Sequence, residues 1–335
     1  MRSILKQLVE IPAPSGYEDR LRDAVRDEVE PLAEEVKKDA LGNLLVRFHA
    51  PDQDARKLML VAHLDEIGLI ATHIDKNGYV RFTNMGGVYP HYLLGGRVRF
   101  LDGTRGVVDA DGGGRRKKVP AISEMYIDVG ASDSQSCSVK VGDVAIFERS
   151  WLDLGDRVVS KALDDRVGVA ILIETLRSIA SDPRGIQHEL WFVFSAQEEV
   201  RLRGAGPAAF QVKPDIALAV DVTRTGDTPQ GQKMEVALGS GPAVKIRDQR
   251  MLSHPGVVEW MLSVARDKDI SIQREVLKRG TTDASSIQIT GEGVPSGCLS
   301  IPCRYVHSPS EMVDWGDVQA AVRFLHALAK SPVPF

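Results

Sequence analysis

Apolar positions along this chain recur in two alternating rhythms. Leu21, Val25 and Val29 stand four residues apart behind Ser15-Gly16-Tyr17-Glu18, a capping-box pattern, which predicts an amphipathic helix over about 17–30. Short, nearly unbroken apolar runs follow. Asn43–Phe48, Lys57–Ala62, Glu189–Phe194 and Ile216–Val220 read as strands, most of them buried on both faces. Helical periodicity returns near Asp165–Ile179, Gly256–Asp267 and Trp315–Lys330, with further strands near Ile270–Glu275 and Cys298–Ile301. Helix and strand in alternation predict an α/β sheet with helices on its faces.

The texture changes from about Gly68 to Ser150. Glycines crowd this segment, Asn77-Gly78 and Asp102-Gly103 mark tight turns, and short β-rich runs such as Tyr79–Thr83 and Arg97–Leu101 lie between them. No helical period of useful length appears. A small β domain over 68–150 is therefore expected as an insertion into a larger domain made of 1–67 and 151–335.

Composition narrows the function classes. The 335 residues are 43% hydrophobic, enough for a proper core, and 42 basic against 46 acidic residues leave a net charge of -4. That balance gives no electrostatic footprint for nucleic acid or an anionic membrane. The basic cluster Arg115-Arg116-Lys117-Lys118 follows a glycine run and reads as a solvated loop. Cys137, Cys298 and Cys303 are odd in number and lack Cys-x-x-Cys spacing, so neither a disulfide framework nor a thiolate zinc site is expected, and a reducing cytoplasm fits best. The N-terminal residues Met1–Gln7 carry charge within an amphipathic pattern rather than a leader signal, and no apolar stretch reaches the length of a membrane span.

Candidate chemistry gathers at the ends of the apolar runs. Glu198-Glu199 stands just beyond Leu190–Phe194, where a buried strand delivers its end to a ligand crevice. Adjacent side chains on a strand point to opposite faces, so the two acids share a site only if the chain bends, and they would then do different jobs. A solvated pair before a helix is the alternative. His63 and Asp65 follow Leu58–Ala62; a core histidine competes there with a ligand oriented by a carboxylate. Asp221 continues an apolar strand and must be paired, hydrogen-bonded or metal-bound. Asp164-Asp165 opens a helix, where an N-cap is the ordinary role, and His307 lies shortly before the closing helix. Taken together, His63, His307, Asp164, Glu199 and Asp221 could hold two divalent cations if one carboxylate bridges them, which leaves Glu198 as a base.

Five segments then carry a resemblance: Ala62-His63-Leu64-Asp65-Glu66-Ile67-Gly68, Lys161-Ala162-Leu163-Asp164-Asp165-Arg166, Gln197-Glu198-Glu199-Val200, Val220-Asp221-Val222-Thr223 and Arg304-Tyr305-Val306-His307-Ser308-Pro309. In order and spacing they resemble the motifs of the tetrahedral aminopeptidases, dinuclear metallopeptidases that include glutamyl and deblocking enzymes. The resemblance covers the whole chain. It implies a mixed central sheet with helices on both faces, and an inserted β-barrel-like dimerisation domain between Asp65 and Asp164. His63, Asp164, Glu199, Asp221 and His307 would be the metal ligands with Asp164 bridging, Glu198 the general base, and Asp65 the residue that orients His63. Two divalent ions per subunit, zinc or cobalt first and manganese also acceptable, would act on short peptides with a free N-terminus. A homo-oligomer built from dimers, up to a dodecamer, is implied as well.

Two positions depart from the family pattern. Arg201 stands where glycine usually follows Glu-Glu-Val, and Val108–Val119 lacks a Pro-Pro-His stretch. An arginine at 201 would favour acidic first residues if it faced the pocket, although arginines after strand ends more commonly face solvent. Two other readings stay open on the sequence: hydrolysis of another amide or acyl substrate, such as an N-acyl amino acid or a glycan, and a catalytically dead assembly scaffold.

Overall fold

A computed structural model describes residues 1–48, 55–112 and 118–334, so Arg115–Lys117 of the basic cluster lie outside the described residues. Strand residues alternate cleanly between two apolar layers. Leu58, Leu60 and Ala62 join Leu190, Phe192, Phe194, Leu218 and Val220 in one core, whereas Met59, Val61, Trp191, Val193, Ala217 and Ala219 join the other. Each buried side chain of this kind contributes about 1.5–3 kcal/mol. A one-residue slip would exchange the two faces, so the register is firmly specified.

The sheet so formed runs in the order Glu35–Lys38, Leu44–Phe48, Glu189–Ser195, Lys57–His63, Ile216–Thr223, Ser296–Arg304, Glu311–Asp314, Arg157–Ser160 and Leu152–Asp153. Its centre is parallel: Glu189–Ser195 and Ile216–Thr223 flank Lys57–His63, and Ser296–Arg304 pairs with Ile216–Thr223. Helices Arg2–Glu10, Asp19–Val29, Leu163–Ser181, Pro255–Asp267 and Trp315–Ala329 cover one face, and the short helices Ala205–Val212 and Ala284–Gln288 the other. After Lys57–His63 the chain first places a strand on one side and later a strand on the other. Strand order therefore reverses at His63, the position where α/β sheets open a crevice beyond their carboxyl ends.

Between that strand and the long helix Leu163–Ser181, six strands close into an antiparallel barrel with its own core. They are Gly68–Ile74, Val80–Met85, Met125–Asp128, Arg105–Ala110, Arg97–Phe100 and Val144–Phe147.

Local details differ from the sequence reading for definable reasons. The helix expected from residue 17 begins at Asp19 and has no side-chain cap, because Ser15 and Glu18 are engaged elsewhere. The strand expected at Ile270–Glu275 is confined to Gln273–Val276, where pairing with Ala243–Arg247 begins. Ala205–Val212 and Ala284–Gln288 are too short and too rich in small residues to display a helical period.

Candidate active site

The bend that Glu198-Glu199 requires is built by side chains from remote segments. Four consecutive backbone N–H groups leave the end of Glu189–Ser195, and each finds a side-chain oxygen: Ala196 donates to Asn43 Oδ1 at 2.8 Å, Gln197 to Glu18 Oε1 at 3.1 Å, Glu198 to Asp65 Oδ1 at 2.9 Å and Glu199 to Asp65 Oδ2 at 3.1 Å. Hydrogen bonds to charged acceptors contribute about 1.5–3 kcal/mol each, enough to hold a conformation that strand geometry does not supply. Gln197 accordingly sits at φ 59° and Arg201 at φ 86°. The latter is the left-handed region that favours glycine, so Arg201 keeps a glycine-type backbone while adding a cationic side chain.

Asp65 is the hub of this bend. Its carboxylate accepts Ser15 Oγ at 2.5 Å besides the two N–H groups, and it is fully buried. His63 Nδ1 lies 3.0 Å from the Asp65 carbonyl oxygen and 3.5 Å from its carboxylate. Asp65 thus meets the ring mainly through its backbone. Behind it, buried Glu66 accepts from Lys161 Nζ at 2.7 Å, Arg166 Nη2 at 3.1 Å and the Ala13 N–H at 3.1 Å, which ties the end of Lys57–His63 to the start of the long helix. Breaking such a buried pair on one side costs about 3–5 kcal/mol.

The structure brings every sequence-predicted ligand residue to one cavity. His63 Nε2 lies 3.0 Å from Asp164 Oδ1 and 4.0 Å from Asp221 Oδ1. His307 Nε2 lies 3.3 Å from Asp164 Oδ2 and 3.4 Å from Glu199 Oε1. The two oxygens of Asp164 therefore face two different imidazoles. Ligating atoms of His63, Asp164 and Glu199 fall within 4.8 Å of one another, as do those of His63, Asp165 and Asp221. The cavity holds about 310 Å³, and His63, Asp164, Glu198, Glu199, Asp221 and His307 are among the residues that line it. A larger concavity of about 760 Å³, between the first helix and the barrel turn at Arg99–Gly103, contains none of them.

Both imidazoles are oriented the same way. Nδ1 of His63 meets the Asp65 carbonyl at 3.0 Å and Nδ1 of His307 meets the Gly87 carbonyl at 2.9 Å. A carbonyl only accepts, so each Nδ1 carries the hydrogen and each Nε2 faces the carboxylates. Burial alone would lower the His307 pKa, but the charges of Glu199 and Asp164 outweigh it and raise it to about 10. His63 is likewise held well above its ordinary value, burial being outweighed by hydrogen bonds to Asp164 and Asp65. Burial and the neighbouring Asp164 push the Glu199 carboxyl up to about 7 and that of Asp221 to about 8, against the opposing pull of the imidazoles. Glu198 is driven well above the carboxylate range, chiefly by burial and then by Asp221, Asp283 and Glu199. Burial and crowded like charge thus raise the proton affinity of Glu198, Glu199 and Asp221 together. The donor set, two Nε2 atoms and a convergent group of carboxylate oxygens, fits divalent cations.

Glu311 and Gly87 carried no signal in the sequence, and Asp165 was legible only as one of a helix-opening pair. Asp165 caps the helix through Gly168 N at 3.0 Å and also accepts the His63 N–H at 3.2 Å, so the N-cap role falls to the second aspartate and leaves Asp164 to the cavity. Glu311, buried, accepts the Asp164 N–H at 3.0 Å and the His307 N–H at 2.7 Å. Gly87, on the loop after Val80–Met85, carries the carbonyl that orients His307, and a Cβ there would overlap the imidazole.

Known proteins resemble this chain over nearly its whole length. The profile described as M42 glutamyl aminopeptidase matches residues 42–324. A protein of Acetivibrio thermocellus described as a putative aminopeptidase is 42% identical, covering 97% of each chain. The lysyl aminopeptidase of Pyrococcus furiosus is 33% identical over 99% of this chain and 97% of its own. The TET1 peptidase of Pyrococcus horikoshii, described as able to assemble into a tetrahedron or a large octahedral shell, superimposes with a TM-score of 0.90 at 32% identity, covering 99% of each chain. Coverage this complete, with a closed barrel inserted into a mixed α/β sheet, settles the relationship: the chain belongs to the M42 glutamyl aminopeptidase family, the tetrahedral metal-dependent aminopeptidases.

Proposed function

We propose that the chain is a dinuclear aminopeptidase that releases the first residue of short peptides, with His63 and Asp221 holding one divalent cation, His307 and Glu199 the other, and Asp164 shared between them. The observation that carries this reading is Asp164, whose two oxygens face the two imidazoles separately at 3.0 and 3.3 Å. Zinc or cobalt suits this mixed donor set, and manganese is acceptable. When bound, such cations supply Lewis acidity that polarises a carbonyl and acidifies water.

The remaining work falls to the protein. Glu198 ligates neither cation in this scheme, yet its carboxylate lines the same cavity as the ligand residues, which suits a group that accepts a proton and gives it back. It takes the proton as water oxygen bonds to the carbonyl carbon, then delivers it to the amine nitrogen as the carbon–nitrogen bond breaks. Asp65 positions it by holding the backbone N–H groups of Glu198 and Glu199. The substrate's free α-amino group would approach the same cluster of His63, Asp164, Glu199, Asp221 and His307 with its cations, which makes a free N-terminus the recognition element.

The six-stranded barrel, segment 68–150, serves in this reading as the dimerisation domain of a homo-oligomer, for which the shells described for the TET1 peptidase are the support. All three cysteines are unpaired, in keeping with a cytoplasmic setting, and no helix among the described residues is long and apolar enough to cross a membrane. A metal titration on aminoacyl anilides and their N-acetylated forms tests the function. Only free-amine substrates should be cleaved, and equal cleavage of the acetylated forms would favour the acyl-hydrolase alternative.

A further inference from the structure

A second cavity, of about 350 Å³, opens beside the one that holds Asp164. The barrel supplies one wall through Tyr89 and the turn Pro90–Tyr92, and the carboxyl ends of Ile216–Thr223 and Ser296–Arg304 supply the other through Arg224 and Tyr305. Arg224 and Val306 line both cavities, so the two share a wall, and that wall adjoins His307 in sequence. Much of the second cavity is aromatic. The Tyr89 and Tyr92 rings stand 6.2 Å apart and nearly edge to face at 81°, and the Tyr89 ring lies 6.2 Å from that of His307. Tyr305 is 47% exposed and holds φ 61°, a left-handed backbone that bulky residues rarely adopt, so its ring is not there to fill a core. Of the two arginines, Arg304 is neutralised by Asp227 at 2.6 Å. Arg224 is held instead by a neutral group: it donates to the Tyr89 hydroxyl and lies 5.6 Å over the same ring. This partly buried guanidinium therefore keeps its charge and spare N–H donors at the shared wall.

We infer that this second cavity receives the residue after the scissile bond and selects peptides whose second side chain is aromatic, with Tyr92 and Tyr305 contacting that ring and Arg224 donating to the second residue's carbonyl oxygen. The inference rests on the aminopeptidase reading and extends it to the leaving side of the substrate. The candidate ligands and Glu198 all line the first cavity, so the free amine and the reacting carbonyl belong there, and the rest of the peptide must leave past a neighbouring wall. The tyrosine cavity meets it at such a wall, whereas the larger concavity near the first helix shares no lining residue with it. Successive side chains of an extended peptide point to opposite sides, which suits two cavities on either side of one wall. A volume of about 350 Å³ lies at the small end of ligand pockets, roughly 300–1,000 Å³, and fits one large side chain. Aromatic rings pack edge to face or offset at about 4.5–7 Å, a spacing the tyrosines already show among themselves.

The experiment compares kcat/KM of the metal-supplemented full-length enzyme on leucyl-phenylalanyl-glycine and leucyl-glycyl-glycine, with leucyl p-nitroanilide, which has no second residue, as the reference. The phenylalanyl peptide should exceed the glycyl one by about tenfold, the effect of burying one aromatic side chain. Tyr92→Ala and Tyr305→Asn should each narrow that ratio to about threefold or less, asparagine being chosen because it tolerates the left-handed backbone. Arg224→Met should raise KM for both tripeptides by about tenfold with less change in kcat, and so depress tripeptide cleavage relative to the anilide, which lacks the second carbonyl. Calorimetric binding of the two tripeptides to the metal-loaded Glu198→Gln protein gives the same comparison without turnover. Equal kcat/KM for the two tripeptides, or a ratio that neither tyrosine variant moves, overturns the subsite and leaves the aminopeptidase reading standing on the anilide. Cleavage of neither tripeptide nor anilide overturns both.

Discussion

Removing the Glu311 carboxylate should loosen both halves of the candidate metal site at once. This side chain opens the strand Glu311–Asp314, is 2% exposed, and accepts one backbone N–H from each of two candidate ligand segments, at Asp164 and at His307. Glu311→Ala leaves both N–H groups buried without an acceptor, at about 1–3 kcal/mol each, so the loss is about 2–6 kcal/mol before any cavity term. That is a large share of a typical folding stability of about 5–15 kcal/mol. If about 3 kcal/mol of it appears as displaced ligands, cation affinity falls roughly a hundredfold. Burial and the charge of Asp164 push the Glu311 carboxyl well above its usual range, so in the cation-free protein the neutral amide of Glu311→Gln is a close mimic and should cost only about 1–2 kcal/mol. Urea denaturation of the chelator-treated protein measures the stability cost, and elemental analysis after dialysis at fixed free zinc measures the affinity. A Glu311→Ala protein with unchanged denaturation midpoint and full metal content would refute the reasoning.

Glu198→Gln should retain metal yet lose about 10²–10⁴ in kcat, and near-native turnover would remove it as the base. Asp221→Ala should lower bound metal per subunit, since it takes away a ligand rather than the base; full occupancy would exclude it as one. Gly87→Ala should displace the His307 ring and cost about a hundredfold in kcat/KM, because its Cβ cannot share space with that imidazole; activity within twofold would contradict the packing. In the cation-free protein, carboxyls raised to about 7 at Glu199 and about 8 at Asp221, with His307 raised to about 10, are all groups whose folded pKa exceeds the unfolded one. Their stabilisation is therefore complete below the unfolded values and lost as pH rises through 7, 8 and 10, so thermal stability of the chelated protein should fall over that window. Cations must displace the same protons, so metal addition near pH 7 should acidify a weakly buffered solution; no proton release would count against this electrostatic account.

The two apolar rhythms were enough to read the central sheet strands, the long helices and the separate β character of Gly68–Ser150, because each depends on local periodicity, whereas the shorter strands Glu35–Lys38, Leu152–Asp153, Arg157–Ser160, Ala243–Arg247 and Glu311–Asp314 went unread. His63, Asp164, Glu199, Asp221 and His307 were legible as strand-end or helix-start residues whose polarity broke an apolar context. The residues that shape the site were not. Asn43 and Glu18 support the bend at Ala196 and Gln197 from more than a hundred residues away, and nothing around them distinguishes them from ordinary turn and helix-start residues. Glu311 is an acid at a strand start, and Gly87 acts through a carbonyl that any residue possesses. Arg201 was ambiguous for another reason: its exposure depends on a left-handed backbone that the sequence pattern favours only for glycine.

The barrel is part of this site as well as an insertion beside it. The chain leaves the sheet for the barrel directly after His63-Leu64-Asp65-Glu66 and returns shortly before Lys161-Ala162-Leu163-Asp164, so both crossings border candidate ligand residues. At the neck, the buried pair of Lys161 with Glu66 holds the outgoing and returning strands together at 2.7 Å. Farther out, the barrel returns Gly86 and Gly87 to the cavity, where Gly86 packs against Glu199 and the Gly87 carbonyl fixes His307. A rotation of the barrel about its neck would therefore move the acceptor of His307 Nδ1 while leaving His63 and Asp221 in place, since those two belong to the sheet. In the two-cation scheme, the half formed by His307 and Glu199 should therefore follow barrel position more closely than the half formed by His63 and Asp221, whose residues stand on the sheet. This asymmetry has a measurable form: substitutions that loosen the neck, such as Lys161→Met, should weaken one of two metal-binding steps in calorimetry more than the other. Equal weakening of both steps would show that the neck supports the sheet edge rather than the barrel.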